Sequence, residues 1–159
     1  MTAIQTQDGH IALVDDADVK CVCDYEWRSI RPRNTWYAVT YPVDAVPVPM
    51  LYMHRLILDA PPGTTVDHID GNGLNNRRDN LREASHSQQA ANSQRHYDKQ
   101  HSRYKGVFFQ NATGKWYVRL MVRGHFFYGG QLFTNEIEAA AMYDGLARKH
   151  FGEYARTNL

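Results

Sequence analysis

The sequence predicts an α+β protein: a β-rich N-terminal part, a turn-rich centre, and a C-terminal sheet backed by one helix. Three observations predict it. Residues 10–14 (His-Ile-Ala-Leu-Val) and 35–41 (Thr-Trp-Tyr-Ala-Val-Thr-Tyr) are rich in β-branched and aromatic residues, as strands are. Residues 115–123 alternate, with Lys115, Tyr117, Arg119, Met121 and Arg123 on one face and Trp116, Val118, Leu120 and Val122 on the other. Asn135 then precedes Ala139, Ala140, Tyr143, Leu146 and Ala147, which share one face of a helix.

Taken in order, Asp15-Asp16 marks a turn after the first strand, and Pro42, Pro47 and Pro49 interrupt regular structure after the second. Residues 50–58 suit either a strand or a helix, and a short helix ending before Pro61-Pro62-Gly63 is preferred. Residues 64–84 are turn-rich, with Val66, Ile69, Leu74 and Leu81 as apolar anchors. Ser85 with Gln88 reads as a helix start, and a polar helix should run through Ala90, Ala91 and Asn92. Residues 93–103 carry no apolar stripe and read as a solvated linker or the end of that helix. Two or three strands fall within 104–133, with turns at Asn111–Gly114 and Gly124. Asn135 and Glu138 form a capping box, and Gly152 stops the last helix.

Composition narrows the function classes. Hydrophobic residues make up 43% of the 159, which suits a globular chain, and no apolar stretch approaches the roughly 18 residues of a membrane span. No secretory signal is evident, so a cytoplasmic location without membrane partners is expected. Cys21 and Cys23 read as strand residues; a Cys-x-Cys pair can ligate zinc, but no second pair exists to complete a site. The net charge of +1 is unevenly spread. Residues 1–50 hold four basic and seven acidic residues, and residues 105–159 hold seven basic and four acidic, so a polyanion should favour the C-terminal part.

The chemically informative stretch runs from Val66 to Arg82. Hydrolysis of a phosphodiester needs a base for the attacking water and charge stabilisation for the phosphate and the leaving oxygen. A histidine with a pKa near its usual value of about 6.5 supplies the first, and a hard cation on carboxylate and carbonyl oxygens supplies the rest. Asp67-His68 offers both chemistries side by side, although on a regular strand the two would point to opposite faces. On spacing alone the same residues also fit an ordinary Asp-Gly-Asn turn.

Residues 51–92 resemble the HNH endonucleases of the phage homing type. The match runs through His54-Arg55, Asp67-His68, Leu74-Asn75-Asn76-Arg77, Asn80-Leu81-Arg82 and Ser87-Gln88. The resemblance implies a ββα-metal fold, in which a hairpin carries the Asp-His pair and a helix crosses its base. It implies His68 as general base, Asp67 as a metal ligand, and Asn80 as the residue bonding across the loop. His54 is expected to support the fold of the site. After Ser-Gln the family usually has Asn as second protein ligand. Here that position is Gln89, with Asn92 as the alternative and His86 as a more distant candidate. The implied cofactor is a divalent metal, Mg2+ first and Mn2+ second, with no small-molecule cofactor.

The cationic and aromatic face of residues 115–123 suits phosphate contacts and base-edge readout from a strand, or else is a plain solvated face. Residues 104–159 resemble the AP2 domain, a three-stranded sheet backed by one helix that binds DNA through the sheet. The match is carried by Tyr104-Lys105-Gly106-Val107, Gly114-Lys115-Trp116, Phe133, Glu138-Ala139-Ala140, Tyr143-Asp144, Phe151-Gly152 and Asn158; residues 128–132 fit less well. Lys105, Lys115, Tyr117, Arg119 and Arg123 are the DNA contacts this suggests, with Arg77, Arg78 and Arg82 as a second group.

The expected organisation is a β-rich part at 1–49, an HNH nuclease core at 50–98, a linker at 99–103 and an AP2-like domain at 104–159. The expected function is metal-dependent cleavage of double-stranded DNA, of homing type. The alternative is a DNA-binding protein with a degenerate HNH centre. Oligomeric state is not legible in the sequence.

Overall fold

The computed structural model of the protein describes residues 1–32, 34–41, 50–93 and 102–159. The chain divides into two compact units, Met1–Ser85 and His86–Leu159.

The first unit opens with an antiparallel hairpin of β1 (Thr2–Gln5) and β2 (Ile11–Val14). A 3-10 turn at Asp16–Asp18 leads into the single helical turn α1 (Val19–Val22). Strands β3 (Arg28–Ile30), β4 (Tyr37–Thr40) and β5 (Leu51–Tyr52) form an antiparallel sheet in that order. Helix α2 (Met53–Leu58) follows directly and ends at Asp59, which adopts φ 49. The Arg55 guanidinium fastens the chain beyond it, donating to the carbonyls of Ala60, Pro61 and Thr64. Strands β6 (Thr65–His68) and β7 (Leu81–Ala84) then pair antiparallel, with His68 opposite Leu81.

One core serves all of these elements. Ala12, Val14, Val22, Trp27, Ala38, Met53, Ile57, Val66 and Leu81 cluster together. Burying the Val, Ile, Leu and Met side chains among them stabilises by roughly 1.5–3 kcal/mol each. The residues before position 42 therefore supply much of the apolar support for β6 and β7.

Three expectations need correction here. Cys21 lies in α1 and Cys23 caps it, so neither is a strand residue. The Cys21 thiol donates to the carbonyl of Asp18 one turn back, a helical contact. β1 was not expected, because Thr-Ala-Ile-Gln is too short and mixed to announce a strand without its partner. Residues 50–58 hold both alternatives, since Leu51 and Tyr52 pair with Thr40 and Val39 before the helix begins. The breaks expected at Pro42, Pro47 and Pro49 lie outside the described residues, as does most of the linker at 93–103.

The second unit begins with α3 (His86–Asn92). Strands β8 (Val107–Gln110), β9 (Lys115–Val122) and β10 (His125–Tyr128) make an antiparallel sheet with β9 in the middle, and α4 (Glu136–Phe151) backs it. The expected alternation is borne out from 115 to 122. Val118 and Leu120 are buried with Val107, Phe133, Ala139, Ala140, Tyr143 and Ala147, and Trp116, Val122 and Leu146 pack against them. Arg123 is a correction: the strand ends at Val122, and Arg123 (φ 50) with Gly124 (φ 82) forms the hairpin turn. Two consecutive positive φ angles match the twist of a tight hairpin, so Arg123 does not continue the Lys115–Met121 face.

The Asn135 cap is as expected, its side-chain oxygen accepting from the Ile137 N–H at 2.8 Å, and Gly152 ends α4 at φ 54. Gly106 is fixed by close approach: a Cβ there would stand 2.1 Å from the Tyr143 ring. Among the described residues no helix is long and apolar enough to cross a membrane.

Candidate active site

The loop between β6 and β7 is closed by its own polar residues. The Asn80 amide nitrogen donates to Asp70 Oδ1 (3.0 Å) and the Asn75 carbonyl (2.8 Å), while its oxygen accepts from the Asp70 N–H (3.0 Å). Asn75 Nδ2 donates to Asp70 Oδ2 at 2.8 Å. Burial works against the Asp70 charge, yet the Asn75 amide, the Asn72 N–H and the Asn80 amide hold its carboxyl below the usual range. A sequence of Asn and Gly residues suits this, because short amides satisfy a tight loop's backbone and their own neighbours.

The closed loop is fastened to the N-terminal elements. The Leu13 N–H donates to the Leu74 carbonyl and the Asn76 N–H to the Leu13 carbonyl, both at 2.8 Å, so the loop runs beside β2. Gly73 passes so close to β4 that a Cβ would lie 2.5 Å from the Trp36 carbonyl and 2.6 Å from the Tyr37 ring. Arg78 holds the far side, with its guanidinium on both Asp18 oxygens at 2.8–3.0 Å.

This framing delivers Asn76 to His68. Asn76 is fully buried, and its Oδ1 lies 3.2 Å from His68 Nε2. Its amide nitrogen donates to the Leu74 carbonyl and to Met53 Sδ, which fixes which way the oxygen points. With an oxygen as its partner, Nε2 carries the ring proton in the neutral form, and Nδ1 carries the lone pair. The His54 ring meets the His68 ring edge-on, with centroids 4.9 Å apart, and Tyr37 flanks it at 5.7 Å. Burial pushes the His68 pKa down, although Asn76, Asp70 and Asp67 oppose this. His54 is more extreme: burial pushes it down to about 3, and its Nδ1 has no hydrogen-bond partner. Both rings are therefore neutral at neutral pH, and a neutral His68 can accept a proton.

Asp67 occupies the other side of β6. Its register partner is Arg82, and Arg82 donates to Oδ2 through Nε at 3.1 Å and Nη2 at 3.0 Å. The two side chains are only 7% and 14% exposed. The strand's alternation thus sends Asp67 to Arg82 and His68 to Asn76 and His54.

The remaining candidates are distributed as follows. Gln89, Asn92 and His86 lie on α3 in the second unit; Asn92 is buried, Gln89 half-buried and His86 exposed. Arg77 donates to Asn75 Oδ1 at 3.1 Å and pairs with Asp79 at 3.4 Å. Lys105 donates to the carbonyls of Ala90, Ala91 and Ser93 at the end of α3, and burial brings its ammonium down to about 8. Lys115, Tyr117 and Arg119 stand on the β9 face turned away from α4, and Arg123 is exposed in the turn.

Among the described residues no three His, Cys, Asp or Glu gather as a metal site. The donor chemistry still suits one class of cation. Mg2+ is commonly held by one or two carboxylates with water and substrate phosphate completing its shell. Asp67 is such a carboxylate, and a cation there would exchange with, or share oxygens beside, Arg82.

Sequence reasoning did not single out Asn76 as the partner of His68, nor Arg82 as the partner of Asp67. Asn76 was hidden among four Asn residues of one loop, which only the folded path distinguishes. The Arg82 pairing follows from the β6–β7 register, set by the length of the loop. A family model described as HNH endonuclease matches residues 52–91, from β5 through α2, the β6–β7 hairpin and most of α3. No curated protein and no solved structure matches the chain. The matched segment, about a quarter of the chain, thus carries His54, Asp67, His68, Asn76 and Asn80 together, and it supports a nuclease of the HNH kind, with DNA as the substrate this implies.

Proposed function

We propose that the protein is a metal-dependent DNA endonuclease of the homing type, with His68 as general base. The observation that carries this reading is the buried Asn76–His68 contact inside the HNH-matched segment. It aims a neutral imidazole, and burial keeps that imidazole neutral. His68 Nδ1 takes the proton of the attacking water, and Asn76 holds the resulting imidazolium through Nε2–H. Asn80 keeps the loop closed, so that Asn76 stays in place. Asp67 would hold a divalent cation, Mg2+ or Mn2+, with water and substrate phosphate completing its shell. Such a cation supplies Lewis-acid stabilisation of the phosphate and leaving oxygen when bound.

The second unit serves to grip double-stranded DNA. This reading is supported by a three-stranded sheet backed by one helix and by the cationic residues Lys115, Arg119 and Arg123 on or beside the open sheet face. Lys105 is better placed as a clasp on α3 than as a DNA contact.

A second reading has two observations in its favour. Arg82 already neutralises Asp67, and Gln89 stands where the related nucleases have Asn. On that reading the protein binds DNA without cutting it. Incubation of the intact protein with supercoiled plasmid in Mg2+, Mn2+ or EDTA separates the two. Cleavage that EDTA abolishes supports the nuclease; intact plasmid with retained DNA binding supports the degenerate centre.

A further inference from the structure

The open face of the second unit's sheet is more aromatic than a phosphate-binding surface requires. Across the three strands, Phe108 opposes Tyr117, Tyr128 opposes Arg119 and Phe126 opposes Met121. Phe126, Tyr128 and Met121 are 48%, 60% and 55% exposed. An open cluster of this kind on a soluble sheet marks a binding surface.

The rings are arranged as planes. Phe108 and Tyr117 stack with centroids 5.4 Å apart and planes within 24°. The Arg119 guanidinium lies over both Phe108 (4.6 Å) and Phe126 (4.7 Å). Two such cation–π contacts hold it on the sheet. The Arg119 guanidinium makes no hydrogen bond or ion pair among the described residues, so its N–H edges are left for a ligand.

Charge decides the partner class. Between Arg103 and Asn135 the chain has five Lys and Arg residues and no Asp or Glu. The acids that follow, Glu136, Glu138, Asp144 and Glu153, belong to α4 and the turn after it. An anionic partner with flat apolar groups fits this face. A duplex covers its base faces by stacking and offers only edges in its grooves. A single strand offers the faces, and aromatic side chains bind them regardless of sequence.

We propose that the β8–β10 face is a stacking platform for unpaired bases of a DNA strand, with Phe126 and Tyr128 as the exposed stacking rings and Arg119 as the cation caged between Phe108 and Phe126. The choice of DNA over RNA rests on the nuclease reading; the platform itself does not. In use, it would engage one strand where the target is opened or its bases turned out.

Fluorescence anisotropy of the intact protein against labelled oligonucleotides tests this. The ligands are a mixed-sequence DNA strand, an abasic strand of equal length, the matched duplex, and the same strand as RNA. The expected result is binding at least about tenfold tighter to the DNA strand than to the abasic strand, with the duplex, gripped through its phosphates, bound no tighter than the strand. Phe126→Ala and Tyr128→Ala should each weaken strand binding by roughly 5- to 150-fold, the worth of one stacked base, and leave abasic binding unchanged. Equal affinity for strand and abasic strand, or tighter binding of the duplex, overturns the platform. Tighter binding of RNA overturns the assignment to DNA. Both substitutions are at exposed positions, and circular dichroism confirms the fold. Plasmid cleavage is measured alongside: binding without cleavage counts against the nuclease reading alone, and cleavage without strand preference counts against the platform alone.

Discussion

Arg82 donates two hydrogen bonds to Asp67 Oδ2, and the pair is nearly enclosed between β6 and β7. A cation at Asp67 must take over part of what Arg82 supplies. Removing one partner of a buried pair costs about 3–5 kcal/mol, since it strands the other charge. Arg82→Met should therefore lower the melting temperature without metal, and Mg2+ or Mn2+ should restore much of the loss by neutralising Asp67. Thermal melts with EDTA and with each cation check this. A metal-induced shift no larger in the variant than in the unaltered protein would remove Asp67 as a ligand.

Asn76 is expected to matter for rate more than for binding. Asn76→Ala deletes the oxygen that fixes His68 Nε2, so cleavage should fall by about 10²-fold, in the range associated with a positioned proton acceptor. Affinity for DNA should stay within about twofold, because Asn76 is fully buried and does not face solvent. A variant that folds and cuts at the original rate would show that His68 is oriented by something else.

His54 makes stability depend on pH. Its pKa is pushed down to about 3 by burial, against a usual value of 6.5. Between those values the unfolded chain binds the proton and the folded chain does not. Its contribution is thus fully present above about pH 6.5 and lost as pH falls toward 3. The slope from this one residue approaches about 1.4 kcal/mol per pH unit within that window. His54→Phe keeps a ring and removes the titration, so urea titrations from pH 7 to 4 should show a shallower loss in the variant. Equal slopes would mean that His54 is hydrated or protonated in the fold.

In the second unit, Asp144 is 1% exposed and its two oxygens accept from the N–H groups of Asn158 and Leu159. Asn158 in turn brackets the Lys105 backbone, accepting from its N–H at 2.7 Å and donating to its carbonyl at 3.1 Å. Asp144→Ala removes two part-buried hydrogen bonds to a charged group, worth about 1.5–3 kcal/mol each. The melting temperature of the protein should fall by at least about 4 °C. An unchanged melt would mean that the C-terminal residues are not docked as described.

Much of this architecture was legible because it rests on local periodicity. The alternation of residues 115–122 and the spacing of Ala139, Tyr143 and Ala147 each specify a buried face without knowledge of partners. The Asp67-His68 pair was legible as a motif, and Asn80 as a loop residue. What stayed hidden depends on long-range geometry. The path of residues 73–76 beside Leu13 and Trp36 selects Asn76 from its neighbours, and residues 60 positions apart meet in the Arg78–Asp18 pair. Arg123 was misplaced because alternation continues one residue past the strand, while the Arg123-Gly124 turn is set by backbone angles that a hydrophobic pattern does not register. The stacking face was half legible: Tyr117 and Arg119 sit in one strand, but Phe108 and Phe126 reach Arg119 only through strand pairing.

If residues 52–91 cut DNA with His68 as the base, cleavage depends on that imidazole and DNA binding does not. The unaltered protein and His68→Ala, matched for fold by circular dichroism and for DNA affinity by anisotropy, are compared for cleavage of supercoiled plasmid in Mg2+ across pH 6 to 9. Cleavage by the unaltered protein that EDTA abolishes is expected, with a loss of at least about 10²-fold in His68→Ala and DNA affinity retained. Cleavage by His68→Ala at the original rate, or no cleavage by the folded, DNA-bound unaltered protein with any divalent cation, would contradict it.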